Sequence, residues 1–239
     1  DKDDLSIDLA FDRDSRTLTI TDNGCGMTKE ELESNLGTIA KSGSLSFKEN
    51  MSKDEKIDII GQFGVGFYSA FMVSKKVEVI SKKIGSDDSY IWTSEGVEGY
   101  TINKATKKEN GTDIILYLKD DTEDEKYSDF MEEYTIRNLI KKYSDYIRYP
   151  IKLDEVIKTP KKDEKGEEIK DEYDEKVETK ILNSMVPLWK KNKKDVTDEE
   201  LEKFYKDKFS DYEKPFTSLF LNVDGIVKYN ALIFIPSHA

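Results

Sequence analysis

The sequence predicts a protein of mixed α and β structure, an α/β (α+β) fold, and three observations lead to this prediction. Short segments alternate apolar and polar residues, which is the pattern of a β-strand with one buried face. Two segments open with a helix-capping pattern, Thr28 with Glu31 and Thr197 with Glu200. Glycines cluster where an apolar segment passes into a turn or a helix.

The first part of the chain is predicted to form a β-hairpin followed by a helix. Residues 5–11 and 18–20 alternate in polarity, and the polar residues between them form the turn. The second strand runs directly into Asp22, and the first capping box then opens a short helix that ends at Leu36. Residues 43–60 are polar with few apolar anchors, so we expect this segment to be mobile.

Helices and strands continue to alternate further along the chain. A helix is predicted to start at residues 66–72. Apolar residues at helical spacing predict one helix over residues 127–148, which Pro150 ends before a strand at residues 151–153. Alternation predicts the intervening strands at residues 76–80, 89–93, 100–103 and 112–118.

The composition changes after residue 153. Acidic residues and lysines dominate residues 154–178, which we interpret as a solvated, flexible linker or a long hairpin loop. A helix with an apolar stripe is then predicted at residues 201–209. Asp224 and Gly225 stand between two apolar strands and are predicted to form a tight turn.

The domain organisation follows from these changes. A chain of 239 residues has room for one large domain or two small ones. The composition favours two, of which the second is truncated. The predicted parts are an N-terminal domain at residues 1–153, a charged linker and last strand at 154–182, and an incomplete α/β piece at 183–239.

Charge and residue counts exclude several classes of function. The formal net charge is -12, from 38 basic and 50 acidic residues, which argues against binding to nucleic acid or to an anionic membrane surface. The single cysteine excludes an internal disulfide, and the single histidine argues against histidine-based zinc chemistry. No apolar run reaches the length of about 18 residues that a membrane-spanning helix needs.

The first glycine cluster has the chemistry of an adenine site. Asp22 ends a strand beside two glycines, where its carboxylate can accept a hydrogen bond from the exocyclic amine of adenine. Gly26 lets the edge of the ring approach, and Met27 offers a soft apolar wall. The alternative is that Asp-Asn-Gly is only a turn that caps the next helix.

The second glycine cluster has the chemistry of a phosphate site. Gly64 and Gly66 precede a helix, so main-chain amides and the positive helix end face an anion, although neither a Walker nor a Rossmann pattern is present. Lys41 and Asn35 can contact phosphate or ribose oxygens. The alternatives are a turn whose glycines allow close packing, and a lysine and an asparagine that only cover the surface.

At these residues the chain resembles the heat-shock protein 90 family. The resemblance is carried by Asp-x-Gly-x-Gly-Met at residues 22–27, by Asn-Leu-Gly-Thr-Ile-Ala-Lys-Ser-Gly at 35–43 and by Ile-Gly-Gln-Phe-Gly-Val-Gly-Phe-Tyr-Ser at 60–69. Similarity extends over essentially the whole chain. The short loop before Ile60 and the modest charged linker resemble the bacterial branch of the family.

The resemblance implies a Bergerat-type ATP-binding fold, a two-layer α/β sandwich with a mixed, mostly antiparallel sheet under helices. It implies that Asp22 holds the adenine amine, with Thr112 helping through water. It also implies an ATP lid at about residues 37–62. The implied nucleotide contacts are Asp22, Gly26, Met27, Asn35, Lys41, Ser42, Gln62, Gly64, Val65, Gly66, Phe67 and Thr112.

The chain departs from the family pattern at its start. The family opens with a helix that carries a water-orienting glutamate and a Mg²⁺-binding asparagine, and nothing in these residues matches it. The resemblance therefore implies ATP or ADP and Mg²⁺ as cofactors but no catalytic residue and no metal ligand in this piece. Because phosphoryl transfer needs water, metal and countercharge together, we expect the piece alone not to hydrolyse ATP.

The function that the resemblance implies is an ATP-dependent molecular chaperone. The full-length protein would be a cytoplasmic homodimer that binds unfolded or partly folded client proteins, without nucleic acid or membrane as partner. Two alternatives stay open. One is another Bergerat-fold ATPase, such as a gyrase B-like topoisomerase subunit, and the other is a non-catalytic interaction module with a vestigial pocket.

Overall fold

The computed structural model describes residues 4–37, 66–96, 99–162, 168–224 and 228–238. The chain divides into two compact units. The first comprises Asp1–Ser144 and Tyr149–Leu182, and the second comprises Asp145–Arg148 and Asn183–Ala239. The three domain ranges expected from the sequence remain a prediction.

The first unit is built on an eight-stranded sheet. Its strands are β1 (Ile7–Asp12), β2 (Thr17–Asp22), β3 (Ser74–Lys82), β4 (Ser89–Ser94), β5 (Tyr100–Ala105), β6 (Gly111–Leu118), β7 (Ile151–Lys162) and β8 (Glu168–Ile181). Its α-helices are α1 (Lys29–Leu36), α2 (Ala70–Val73) and α3 (Glu133–Leu139). Short 3-10 helices cover Gly66–Ser69 and Tyr127–Met131, and a π-helical turn covers Ile140–Ser144.

The sheet has the strand order β5-β4-β3-β6-β2-β1-β7-β8. Every neighbouring pair is antiparallel except β1 and β7, which run parallel. The expectation of a mixed, mostly antiparallel sheet is therefore confirmed. The strands predicted by alternation all form, and their observed bounds differ from the predicted ones by only one or two residues in most cases.

The core lies against one face of the sheet, the face to which Val77 and Val79 of β3 point. Residues opposite one another on paired strands share a face, and the register aligns Val79 with Trp92 on β4 and with Ile114 on β6. Val79 and Trp92 are almost completely buried. α1 lies against β4, and α2 lies against β3 and β6, so helices form the second layer of an α/β fold. Leu32 of α1 is fully buried.

The prediction of one helix over residues 127–148 is wrong. A 3-10 helix ends at Met131, Glu132 has extended backbone angles (φ -101°, ψ 126°), and α3 begins after it. A π-helical turn then replaces the last part of the expected helix. The apolar spacing did not reveal the break at Glu132, and it did not identify the buried side chains, because Tyr134 at this spacing is exposed whereas Met131 outside it is buried.

Residues 154–178 do not form a flexible linker in the part that is described; they form a long hairpin, as the alternative interpretation had it, but one made of two strands and not of a loop. β7 and β8 form a long antiparallel hairpin, in which Val156 pairs with Val177. Oppositely charged residues face each other across the strands, as Lys158 and Glu175 do at 2.8 Å. The β-branched residues between the charges favour strands, and the high charge concealed this alternation. Residues 163–167 lie outside the described residues.

The second unit joins a helix to a two-stranded sheet. α4 (Asp198–Phe209) begins with the expected capping box, in which Thr197 and Glu200 each bond the other's main-chain amide. β9 (Thr217–Asp224) and β10 (Lys228–Ile235) pair antiparallel, and Phe204 stacks on Phe234 at 5.9 Å between ring centroids. The tight turn expected at Asp224-Gly225 falls partly outside the described residues. Among the helices described, none is long and apolar enough to cross a membrane.

Candidate functional site

Asp22 is the last residue of β2 and is held in place by the turn that follows it. Its Oδ1 atom accepts a hydrogen bond from the Gly24 amide at 2.8 Å. The Asn23 side chain accepts a hydrogen bond from the Ser6 amide and donates one to the Asp4 carbonyl, each at 2.8 Å. The turn is thus anchored on one side by main-chain atoms near the start of the first strand, and the half-buried carboxylate has a fixed orientation.

Gly26 lies where two main-chain segments meet. It is buried, has φ 61°, and a Cβ atom built on it would lie 1.8 Å from the Lys82 carbonyl oxygen at the end of β3. The adjoining Ile84 amide donates to the Cys25 carbonyl at 2.8 Å. Only glycine fits this crossing, because an L-residue is strained at this φ and its Cβ would overlap main-chain atoms. The predicted approach of an adenine ring to Gly26 remains a prediction beside this structural role.

Three polar residues form a row across neighbouring strands. The register places Asp22 opposite Thr112 on β6, and Thr112 opposite Ser81 on β3. Their side chains therefore emerge on the same face of the sheet, at the end of the apolar rows of the core. Ser81 and Thr112 are buried, and their hydroxyl oxygens lie 2.9 Å apart. The structure thus brings Asp22 and Thr112 together, as the resemblance implied.

Met27 lies in the turn before α1, and Asn35 lies in α1 itself. The Met27 amide donates to the Ser81 hydroxyl at 2.8 Å, and the Asn35 side-chain amide contacts the Met27 sulfur at 3.7 Å. α1 is anchored at its start by the expected capping box of Thr28 and Glu31, which is confirmed with both hydrogen bonds. At its end, the Tyr68 hydroxyl donates to the Leu36 carbonyl at 3.0 Å.

Gly66 and Phe67 begin the 3-10 helix that leads into α2. Gly66 is exposed, and a Cβ atom built on it would meet no atom within 4 Å. Phe67 packs edge-on against Trp92, with ring centroids 5.5 Å apart. Lys41, Ser42, Gln62, Gly64 and Val65 lie outside the described residues, as does the expected lid except for Gly37. Their roles remain predictions.

Burial raises the pKa of the Asp22 carboxyl above its ordinary value. The hydrogen bond from the Gly24 amide and the charge of Lys107 act in the opposite direction, and the charge of Asp113 adds to the increase. Lys107 and Asp113 form an ion pair at 2.7 Å, which leaves little net charge beside Asp22. The ionised carboxylate is therefore held in a site that stabilises it less well than water does.

The raised pKa of Asp22 leads to a prediction for the stability of the folded protein. A carboxyl that has a higher pKa in the folded state than in the unfolded state destabilises the fold once the pH exceeds the unfolded value of about 3.8. Asp22→Asn should therefore be more stable than the parent protein at pH 7, and the difference should shrink as the pH falls towards 3. Thermal unfolding of both proteins between pH 7 and about pH 3 measures this difference in stability. A difference that does not change with pH would contradict this assignment.

The described residues do not form a resident metal site. No group of three or more His, Cys, Asp or Glu side chains in the described ranges could hold a metal ion. A cavity of about 570 Å³ opens beyond the Asp22 turn, between Asn23, the Lys82–Lys83 segment and the turn at Lys108 and Asn110. None of the predicted nucleotide contacts lines this cavity, so it does not mark the adenine site.

Sequence reasoning did not assign Ser81 or Gly111 to the site. Gly111 has φ 119°, and a Cβ atom there would lie 2.1 Å from the Asp22 carbonyl oxygen. A signal for Ser81 was present in the sequence, since it follows Val77 and Val79 on the buried face of one strand. A hydroxyl at the end of an apolar row indicates a polar partner, but the sequence did not identify that partner.

Comparison with known proteins finds relatives over the whole chain. Residues 1–121 match the family described as histidine kinase-, DNA gyrase B-, and HSP90-like ATPase, and residues 154–239 match the Hsp90 protein family. The chain is 54% identical over 238 residues to the chaperone protein HtpG of Bacillus subtilis (strain 168), covering 100% of this chain and 37% of that protein.

Two further relatives give the same result. The chain is 53% identical over 238 residues to the chaperone protein HtpG of Clostridium acetobutylicum, covering 100% of this chain and 37% of that protein. It is 53% identical over 236 residues to the chaperone protein HtpG of Clostridium botulinum (strain Loch Maree / Type A3), covering 99% and 37%. The chain therefore spans about 37% of the length of the curated relatives that it matches.

Proposed function

Because this chain belongs to the Hsp90 family of the histidine kinase-, DNA gyrase B- and HSP90-like ATPases, we propose that it forms the nucleotide-binding part of an ATP-dependent molecular chaperone. One observation carries the proposal. Asp22, at the end of β2, is half-buried beside Thr112, and its carboxylate is oriented by the Gly24 amide. A carboxylate that is costly to ionise and is nevertheless fixed in place is typical of a binding site.

Asp22 is the proposed partner of the adenine amine. Oδ1 of Asp22 accepts a hydrogen bond from the Gly24 amide, so the second carboxylate oxygen is the proposed acceptor for the amine of the base. Thr112 adds a contact through water. Gly26 and Met27 line the base. The Asn35 side-chain amide contacts the Met27 sulfur, which supports the placement of Asn35 beside the base, where the ribose would lie.

The phosphates are proposed to lie at the second glycine cluster. Gly66 is exposed at the start of a helical segment, which supports main-chain contact with an anion. Phe67 anchors this segment on Trp92 of the core. The remaining proposed contacts to phosphate are Lys41, Ser42, Gln62, Gly64 and Val65.

The activity of the whole protein is part of the same proposal. ATP hydrolysis by the full-length protein would drive the binding and release of unfolded or partly folded client proteins by a cytoplasmic homodimer. Mg²⁺ is the expected companion of the nucleotide, but the described residues offer no ligand set for it, and no step is assigned to it. Nothing in the comparisons favours a gyrase B-like subunit or a non-catalytic module, and residues 154–239 match the Hsp90 family itself.

Calorimetric titration of the complete protein with ADP and with GDP tests this proposal. We expect saturable binding of ADP with one site per chain and much weaker binding of GDP, because Asp22 can accept from the adenine amine but faces the carbonyl oxygen of guanine. An absence of ADP binding, or equal affinity for the two nucleotides, would contradict the proposed adenine site.

A further inference from the structure

Ser81 is a fully buried serine in the polar row that ends at Asp22. It has 0% of its surface exposed, and it lies opposite Thr112, which in turn lies opposite Asp22. The preceding positions on the same face of β3, Val77 and Val79, are apolar and buried. Packing on this face therefore does not require a hydroxyl group at position 81. The hydrogen-bond partners of the Ser81 hydroxyl explain why it is there.

The Ser81 hydroxyl joins three elements of the adenine side of the site. Its oxygen accepts a hydrogen bond from the Met27 amide at 2.8 Å. It lies 2.9 Å from the Thr112 hydroxyl oxygen and 3.2 Å from the Gly111 carbonyl oxygen. One side chain of β3 thus contacts the residue proposed to line the base and the residue proposed to reach it through water.

The single proton of Ser81 determines which group Thr112 presents to a ligand. A hydroxyl has one proton to donate and two lone pairs that accept. If Ser81 donates to Gly111, Thr112 must donate to Ser81 and offers a ligand only an acceptor. If Ser81 donates to Thr112, Thr112 keeps its own proton for a ligand or water. The Gly111 carbonyl oxygen can only accept, and Ser81 donates to it at 3.2 Å, so Thr112 donates to Ser81 and turns its lone pairs to the ligand side.

We propose that Ser81 is a positioning residue that selects adenine over guanine without touching the base. It holds Met27 through its amide, and by accepting the Thr112 proton it leaves Thr112 an acceptor, so that a water bound to Thr112 directs its second proton at the ring edge. Asp22 as acceptor and this water as donor then match the amine and the ring nitrogen of adenine, whereas guanine presents the reverse order on that edge. This inference rests on the proposed function.

Ser81→Ala in the complete protein tests the inference, with Ser89→Ala as the matched control. Ser89 is also a buried serine of the sheet, with 4% of its surface exposed. Its hydroxyl donates to the Ala105 carbonyl at 2.7 Å and accepts from the Lys107 amide at 3.0 Å, but it contacts neither Thr112 nor Met27. Both variants lose a buried hydroxyl with main-chain partners, so their losses of stability should be similar.

The measurement is the affinity for ADP and for GDP by calorimetry. We expect Ser81→Ala to weaken ADP binding about tenfold and to reduce the preference for ADP over GDP by a similar factor, whereas Ser89→Ala changes neither. Ser81→Thr, which keeps the hydroxyl, should restore both values. If Ser81→Ala does not fold, Thr112→Val should reproduce the reduced preference while Thr112→Ser retains it.

Failure of the inference is distinguishable from failure of the proposed function. If the parent protein binds ADP and Asp22→Asn weakens that binding, but Ser81→Ala keeps the ADP to GDP ratio, the role of Ser81 is wrong and the adenine site stands. If the two serine variants weaken ADP binding equally, Ser81 is only structural. If the parent protein binds no ADP, both proposals fail together.

Discussion

Gly26→Ala is expected to lower the free energy of unfolding by about 4 kcal/mol and to abolish nucleotide binding. Two effects combine at this position. An L-residue at φ 61° is strained, which costs roughly 1–2 kcal/mol. In addition, the new Cβ would lie 1.8 Å from the Lys82 carbonyl oxygen, where the hydrogen bond between Cys25 and Ile84 joins the two main-chain segments.

Gly85→Ala separates these two effects. Gly85 has φ 80°, but a Cβ atom built on it meets no atom within 4 Å. This variant therefore carries the strain without the overlap, and we expect a loss of only about 1 kcal/mol with ADP affinity unchanged. Chemical denaturation of both variants measures the difference. Equal losses from the two substitutions would show that the close contact of Gly26 with β3 contributes nothing.

Asp22→Asn is expected to weaken ADP binding about 100-fold in the complete protein. A hydrogen bond to a charged group contributes roughly 1.5–3 kcal/mol, and each 1.4 kcal/mol is about a tenfold change in affinity. The Gly24 amide keeps the side-chain oxygen of the asparagine as its acceptor. The asparagine nitrogen then takes the place of the second carboxylate oxygen and faces the adenine amine, so two donors oppose each other.

Asp113→Asn is the matched control for charge. Asp113 follows Thr112 on β6, forms an ion pair with Lys107, and acts on Asp22 only through its charge. Because neighbouring residues of a strand point to opposite faces, its side chain lies on the face away from Asp22. We expect ADP affinity within about twofold of the parent value. A similar loss in both variants would indicate that net charge, rather than the Asp22 hydrogen bond, governs binding.

Local patterns predicted the elements whose stability is local. Alternation identified the strands around Asp22, and the capping boxes at Thr28 and Thr197 identified the starts of α1 and α4. The break at Glu132 was not predictable, because apolar spacing continues across it while the main chain becomes extended. The strands of the charged hairpin, β7 and β8, were missed because charge is typical of loops, whereas here charged pairs face each other across two strands.

The candidate site was predictable where its residues are close in sequence. Asp22, Gly26, Met27 and Asn35 lie within one strand, turn and helix, and the structure places Met27 and Asn35 in contact, while the roles of all four remain predictions. Ser81 and Gly111 come from strands far along the chain, so their place beside Asp22 depends on the register of the sheet. No short segment specifies that register, which follows from the packing of the whole apolar face.

The most direct test of the adenine site combines a change in the protein with a change in the ligand. Purine riboside 5′-diphosphate lacks the amine that Asp22 is proposed to hold, and its affinity is compared with that of ADP in the parent protein and in Asp22→Asn. We expect loss of the amine to weaken binding about 10- to 100-fold in the parent and to have little effect in the variant. An equal loss in both proteins would contradict the account, because Asp22 would then not be the partner of the amine.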